Sequence, residues 1–241
     1  MTDPPELLNA PTIGILAGMG PHSTAPFLEL LLAECKRQYG AVEDIDFPPI
    51  VIRSQPTPFY TDRATDHAAM ATAVRDGLQK LARNGVDYLA IACNTAHIYF
   101  DELAASVDLP LLDMVELTVS RLQAIQRVAL VAARPTADAG IYQRRLLENG
   151  MTAVDLDCQA DVDALLLATR TDTTPVQFAQ LWSQLTRKAE SASVEALVVA
   201  CLDLSATVRY AVTTLPIVDA SQCLAEGLVR EWLERRKAAS K

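Results

Sequence analysis

Two cysteines stand at positions that favour thiol chemistry, because each ends a short apolar run and precedes polar loop residues. Cys93 ends the run 86–93, and Cys201 ends the run 194–201. A thiolate can remove a proton from carbon and a thiol can return one, so two thiols on opposite sides of a bound molecule could invert a stereocentre. An ordinary cysteine has a pKa of about 8.5, and a helix N-terminus beside it would increase the thiolate fraction. The pair predicts a site for two-base proton transfer.

The runs that end in these cysteines belong to a larger internal repeat. Residues 13–17 match 128–132, residues 86–93 match 194–201, and residues 109–113 match 215–219, so the offsets are 115, 108 and 106 residues. Three matches in the same order indicate a duplication with changes in loop length.

Short β-branched runs alternate with stretches of helical spacing, which predicts an α/β fold with a mostly parallel sheet covered on both faces. The predicted strands are residues 12–16, 50–52, 86–92, 111–112, 128–131, 152–155, 195–200 and 217–218. The predicted helices include residues 23–38, 66–84, 137–149 and 175–191.

The repeat and the alternation together predict two similar Rossmann-like halves related by a pseudo-twofold axis. The first half would comprise residues 12–117, with a C-terminal helix at 223–236 packed back against it, and the second half residues 118–216. Ligands bind beyond the carboxyl ends of parallel strands. We therefore expect the active site in the cleft between the halves, with one thiol on either side.

Composition narrows the class of protein and its partners. The chain has 241 residues, of which 50% are hydrophobic and 21% charged, and its net charge is −9, which argues against binding to nucleic acid or to an anionic membrane surface. No apolar run approaches the roughly 20 residues that a transmembrane helix needs. Five cysteines without a CxxC pair are typical of a reducing cytoplasm. We expect a small-molecule partner.

Two segments carry a resemblance to a known family. Residues 13–21 read IGILAGMGP and are followed by Ser23-Thr24, and residues 93–97 read CNTAH. Together they resemble the cofactor-independent aspartate/glutamate racemase family over residues 12–233. The resemblance implies two α/β halves, an amino-acid substrate that is usually acidic, no pyridoxal phosphate or other cofactor, no metal, and a homodimer.

The same resemblance implies roles for individual residues. Cys93 and Cys201 match the two catalytic thiols, and Asn94 and Thr95 match residues that hold the substrate's α-carboxylate. The first-strand loop that lines the site is matched by Met19, Gly20 and Ser23.

Two arginines are candidates for a second carboxylate of the substrate. Arg63 lies in Thr-Asp-Arg, which is similar to the family's Pro-Asp-Arg segment, and Arg170 lies about where the family places a lysine. A dianionic substrate in a protein of charge −9 needs local positive potential, and a guanidinium group can bind a carboxylate with two hydrogen bonds. The alternative for these residues and for Arg53 is a solvated surface arginine.

The chain departs from the family after the second thiol. Where the family reads Gly-Cys-Thr-Glu, this chain has Ala200-Cys201-Leu202-Asp203. We count Leu202 and Asp203 among the substrate contacts. The hydroxyl lost at position 202 is worth about 1 to 3 kcal/mol if it bonds the substrate. The preferred substrate could therefore be a less polar or differently charged amino acid.

The sequence is also compatible with other functions. Cys93 and His97, four residues apart, could be two metal ligands on one helical turn, or Cys93 could be the nucleophile of a hydrolase, which would leave Cys201 unexplained. The loop 17–21 resembles a dinucleotide-binding turn but lacks the third glycine. The same scaffold could support decarboxylation of a disubstituted malonate or isomerisation of maleate, and a protein without catalysis could bind an acidic amino acid.

Overall fold

Each half of the chain forms a four-stranded parallel sheet with the same strand order. The computed structural model describes residues 10–59 and 65–239. The first sheet has the order β2-β1-β3-β4, and the second has the equivalent order β6-β5-β7-β8. The strands are β1 (Ile13–Ala17), β2 (Ile50–Ser54), β3 (Tyr88–Ile91), β4 (Leu111–Leu112), β5 (Arg127–Ala132), β6 (Thr152–Ala153), β7 (Ala196–Ala200) and β8 (Ile217–Asp219). The predicted α/β fold with two similar halves is confirmed.

Helices connect the strands, as parallel pairing requires. They are α1 (Thr24–Tyr39), α2 (His67–Ala82), α3 (Phe100–Ala104), α4 (Met114–Val119), α5 (Arg134–Ala139), α6 (Ile141–Glu148), α7 (Gln159–Ala168), α8 (Pro175–Ser191), α9 (Leu202–Ser205) and α10 (Ala220–Ala239). In the described part of the chain, none of them is long and apolar enough to cross a membrane.

The described residues group into two compact units. Unit 1 contains the residues up to Ala92, the segment Tyr99–Asp113 and the residues from Leu224 onward. Unit 2 contains Cys93–Ile98 and Met114–Cys223. The short segment that follows β3 therefore belongs to unit 2, although β3 itself lies in the sheet of unit 1.

Unit 1 has a core in which buried aromatic side chains also make hydrogen bonds. Tyr88 is fully buried, and its hydroxyl donates to the carbonyl of Leu228 at 2.8 Å. Trp232 donates its indole N–H to the carbonyl of Pro11 at 3.0 Å and stacks on Tyr39. These bonds satisfy the polar ends of large side chains whose apolar parts fill the core.

Unit 2 has a separate core built on the same principle. Trp182 of α8 is fully buried beside Leu165 and Val199, and its indole N–H donates to the Thr207 hydroxyl at 3.1 Å. α8 begins with a capping box, in which Thr174 and Gln177 satisfy each other's backbone N–H groups.

The single helix predicted at 137–149 is wrong, because the structure has two helices there. Gly140 separates α5 from α6 with φ +66°, a left-handed conformation that ends the first helix. The helical spacing of apolar residues continues across this break, so periodicity alone did not reveal it.

Candidate active site

Both predicted catalytic thiols lie in unit 2, each close to the carboxyl end of a strand. Cys93 comes two residues after β3 and just before a 3-10 turn at Thr95–Tyr99. Cys201 directly follows β7 and is the residue before the first turn of α9. Cys93 is 7% exposed, and Cys201 is half-buried. The duplication thus places the two thiols at equivalent points of the two sheets.

Burial dominates the titration of the first thiol. It raises the pKa of Cys93 to about 11, although backbone N–H groups of Ala96 and Thr95 donate to the sulfur and favour the thiolate. The sequence predicts that a helix N-terminus increases the thiolate fraction. The N–H donors are present, but the loss of solvation outweighs them.

Burial is also the largest cause of the raised pKa of the second thiol, and a nearby carboxylate adds to it. Burial and the charge of Asp203 raise the pKa of Cys201 to about 12, against the opposing effect of N–H donors from Asp203 and Leu204. A charge on Cys93 raises the pKa of Cys201 as well. The two sulfurs are therefore close enough to interact electrostatically within unit 2.

The two polar residues after Cys93 are held by side chains from α5 and α6. Asn94 is 3% exposed, and its Oδ1 accepts a hydrogen bond of 2.5 Å from the Tyr142 hydroxyl. Its Nδ2 is buried and has no hydrogen-bond partner among the residues that the structure describes. The Thr95 hydroxyl bonds the Thr136 hydroxyl at 2.8 Å.

His97 is engaged by the backbone on both sides of its ring. Its Nε2 accepts the N–H of Met114 at 3.2 Å, so Nδ1 carries the proton and donates to the carbonyl of Cys93 at 2.8 Å. Neither nitrogen has a lone pair left for a metal, and within residues 10–59 and 65–239 no cluster of three or more ligands could hold one. The structure gives the proposed Cys93–His97 metal pair no support.

The two residues after Cys201 are one apolar residue and one charged residue. Leu202 is 8% exposed, and the Asp203 carboxylate lies 3.8 Å from the guanidinium of Arg170, whose side chain is half exposed. At the end of β8, Asp219 accepts hydrogen bonds from the Ser205 hydroxyl and the Ser221 N–H, and its burial raises its pKa.

The remaining candidate site residues lie either in unit 1 or outside the described residues. Met19 and Gly20 lie half-buried in the loop after β1, and Ser23 is buried at the end of a 3-10 turn. In that loop, Gly18 has φ +92°, and a Cβ there would lie 2.6 Å from the backbone nitrogen of Gln55. Arg63, the candidate for a side-chain carboxylate, lies outside the described residues.

The structure thus brings seven predicted residues into one unit and adds two that sequence reasoning missed. Unit 2 contains Cys93, Asn94, Thr95, Arg170, Cys201, Leu202 and Asp203. The missed residues are Tyr142 and Thr136, which contact residues 48 and 41 positions earlier in the chain. No spacing in the sequence could reveal contacts of that range. The other cysteines, Cys35, Cys158 and Cys223, are buried.

The fold is α/β with two similar halves, and a thiol lies at the end of one strand in each half. Comparison with known proteins shows which family has this arrangement. A family model described as Asp/Glu/Hydantoin racemase matches residues 16–228. The broad specificity amino-acid racemase RacX of Bacillus subtilis (strain 168) is 38% identical over 223 residues, which cover 92% of this chain and 98% of that protein. The chain belongs to the Asp/Glu/hydantoin racemase family.

Solved structures of racemases share the fold. The Picrophilus torridus aspartate racemase has a TM-score of 0.76 and 25% identity, with 92% of this chain and 94% of that chain covered. A glutamate racemase from Francisella tularensis, solved with D-glutamate, has a TM-score of 0.68 and 16% identity, with 95% and 82% covered. At that identity the second likeness concerns the fold alone.

Proposed function

We propose that this protein is an amino-acid racemase that works without pyridoxal phosphate, with Cys93 and Cys201 as its acid/base pair. The observation that carries the proposal is the placement of both thiols in unit 2, at equivalent strand ends and within electrostatic reach of each other. The family and the racemases among its relatives support the reaction type.

In the proposed reaction one cysteine acts as a thiolate and the other as a thiol. The thiolate takes the proton from Cα, and the electron pair of the broken C–H bond stays on carbon. The thiol then donates its proton to the opposite face, so that the enantiomer forms and the thiolate is now on the second cysteine. The reverse direction exchanges the two roles.

The raised pKa values set a requirement for this chemistry. With a pKa of about 11, roughly one Cys93 in a thousand is ionised at pH 8. A positive charge beside the sulfur favours the thiolate, and the substrate's α-ammonium group supplies one. The substrate would therefore help to form the base that acts on it.

For the substrate we propose an amino acid whose α-carboxylate is held by Asn94 and Thr95. Met19, Gly20, Ser23, Arg63 and Arg170 stay proposals as further contacts. The Asp203 carboxylate lies near both thiols and disfavours a second carboxylate there, and Leu202 offers no hydrogen bond from its side chain. Aspartate and glutamate therefore belong in the same panel as neutral and basic amino acids. The homodimer and the cytoplasmic location rest on the family resemblance and on composition.

The experiment that tests the function is deuterium incorporation at Cα. We expect the wild-type protein in D₂O to exchange the Cα proton of at least one amino acid in the panel. Cys93→Ala and Cys201→Ala should each reduce racemisation roughly 100- to 10,000-fold, because each removes one of the two acid/base groups. Cys158→Ala is the matched control, since it removes a buried thiol of the same unit and should keep activity.

The other outcomes separate the alternatives. Racemisation at the wild-type rate in either variant would refute the two-base mechanism. Binding of amino acids without any exchange at Cα would favour a binding protein. Decarboxylation of a disubstituted malonate, with only one of the two cysteines needed to deliver the proton, would favour the decarboxylase.

A further inference from the structure

One buried hydrogen bond decides which end of the Asn94 carboxamide is left without a described partner. Tyr142, on α6, is fully buried, and its hydroxyl donates to Asn94 Oδ1 at 2.5 Å. Because the oxygen end is occupied, the nitrogen end remains, and Nδ2 has no hydrogen-bond partner in the part of the chain that the structure describes. A buried N–H without an acceptor is costly, and such a donor is typical of a site that a bound molecule completes.

We propose that Tyr142 is a positioning residue that orients Asn94 so that Nδ2 donates to a carboxylate of the substrate. The inference rests on the proposed racemase function and goes beyond it, because it gives Tyr142 a role that is exerted through Asn94. If the carboxamide turned by half a rotation, Oδ1 would face the carboxylate, and two partial negative charges would meet. The turned carboxamide would place Nδ2 against the Tyr142 oxygen, and a separation of 2.5 Å suits an O–H···O hydrogen bond and is shorter than N–H···O hydrogen bonds usually are.

The neighbouring residue is held in a similar way, so the whole segment after Cys93 is ordered before a ligand arrives. Thr136 on α5 bonds the hydroxyl of Thr95 at 2.8 Å, and His97 bonds the carbonyl of Cys93. Groups that are fixed in advance lose little freedom on binding, which increases affinity and keeps the reacting carbon in place.

The first test is Tyr142→Phe, which removes the hydroxyl and keeps the ring. We expect KM for the amino acid found in the exchange experiment to rise roughly tenfold while kcat changes less than about threefold, because the lost interaction is made equally in ground and transition states. Tyr88→Phe is the matched control, since Tyr88 is equally buried and bonds a backbone carbonyl in unit 1. An unchanged KM in Tyr142→Phe, or the same rise in Tyr88→Phe, would overturn the proposal.

A second variant tests the orientation without altering Tyr142. In Asn94→Asp the carboxylate can still accept from Tyr142, but its other oxygen replaces the N–H donor and repels the substrate. We expect a higher KM for Asn94→Asp than for Asn94→Ala. Equal or lower KM in Asn94→Asp would contradict the orientation. In the Asn94→Ala background, Tyr142→Phe should add nothing to KM, and a further tenfold rise would show that Tyr142 acts by another route.

A binding measurement separates this inference from the proposed function. Acetate serves as a minimal carboxylate, and the side-chain amide signals of Asn94 are followed by nitrogen-15 NMR. We expect acetate to shift these signals in the wild-type protein and to shift them less in Tyr142→Phe. Equal shifts in both proteins, or none in the wild type, would overturn the role of Tyr142. Absence of Cα exchange alone would overturn the racemase proposal and leave the acetate result standing.

Discussion

The pKa values of the two thiols determine how this site could work, and effects of opposite sign act on them. Backbone N–H groups at the start of each turn stabilise a thiolate, while burial and the Asp203 charge destabilise it. Because burial has the larger effect, both pKa values lie above the usual range of a cysteine. Near neutral pH such a site holds both cysteines mostly as thiols, and a positive charge on the substrate would favour the thiolate.

The pH dependence of racemisation follows from these values. We expect kcat/KM to rise about tenfold per pH unit below pH 11, where the thiolate of Cys93 forms, and to fall near pH 12, where the second proton is lost. The measurement is a pH profile of the initial rate. A rate independent of pH between 7 and 10, with free substrate titration accounted for, would exclude a thiolate as the base.

Removal of the Asp203 charge should move this profile. In Asp203→Asn neither thiolate is opposed by that carboxylate, so both limbs of the profile should shift to lower pH, and the falling limb, which reports Cys201, should shift more. Asp163→Asn is the control, because Asp163 is an exposed carboxylate of unit 2 paired with Arg134. A shift toward higher pH in Asp203→Asn would contradict the electrostatic account.

Leu202 tests how one hydroxyl affects the choice of substrate. In Leu202→Thr we expect kcat/KM for aspartate or glutamate, relative to alanine, to rise roughly tenfold to a hundredfold, because a buried hydroxyl becomes available to a carboxylate. Valine is similar in size to threonine but has no hydroxyl, so Leu202→Val should leave the ratio unchanged. The same ratio in all three proteins would remove position 202 from the substrate site.

Among the elements, the break between α5 and α6 controls where Tyr142 and Thr136 lie. Gly140 adopts φ +66°, and a Cβ there would meet nothing closer than 3.9 Å, so only the backbone conformation opposes a side chain. The two short helices separated by this turn carry the side chains that hold Asn94 and Thr95.

Gly140→Ala should therefore affect both stability and binding. We expect a loss of about 1 kcal/mol in the free energy of unfolding, from the left-handed conformation, together with a higher KM. Gly40→Ala is the matched control: Gly40 ends α1 in unit 1 with φ +75° and open space around it. It should lose similar stability and keep KM. Denaturant titration and steady-state kinetics test both effects.

At the scale of the whole molecule, the chain passes between the two units four times, after residues 92, 98, 113 and 223. Neither unit is therefore a continuous piece of chain. When one unit unfolds, the segments of the other unit lose the ordered chain to which their ends are joined. The two tryptophans are divided between the units, with Trp232 in unit 1 and Trp182 in unit 2, and both are buried.

This distribution gives each unit its own optical probe. We expect Trp182→Phe, which retains only Trp232, to show the same denaturation midpoint by fluorescence as by circular dichroism, and the same agreement in Trp232→Phe. Coincident transitions indicate cooperative unfolding of both units. A fluorescence midpoint that departs from the circular dichroism midpoint in either variant would mean that the units unfold separately.

Periodicity and repetition in the sequence were sufficient for the architecture. The predicted strand 111–112 and helix 175–191 have the bounds that the structure shows, and the repeat predicted two halves with equivalent strands. Such features are legible because burial of one face imposes a local pattern on each element. The break at Gly140 was missed because apolar spacing carries no information about a left-handed residue.

The sequence by itself determined the α/β class, the duplication and the two cysteines at the matching strand ends, since each depends on residues close together in the chain. Only the tertiary structure decided the direction of the thiol pKa shifts, the backbone partners of His97 and the hold of Tyr142 on Asn94. Those properties depend on how much water is excluded and on which distant side chains meet. Both arise when the chain is packed, and neither is encoded in local spacing.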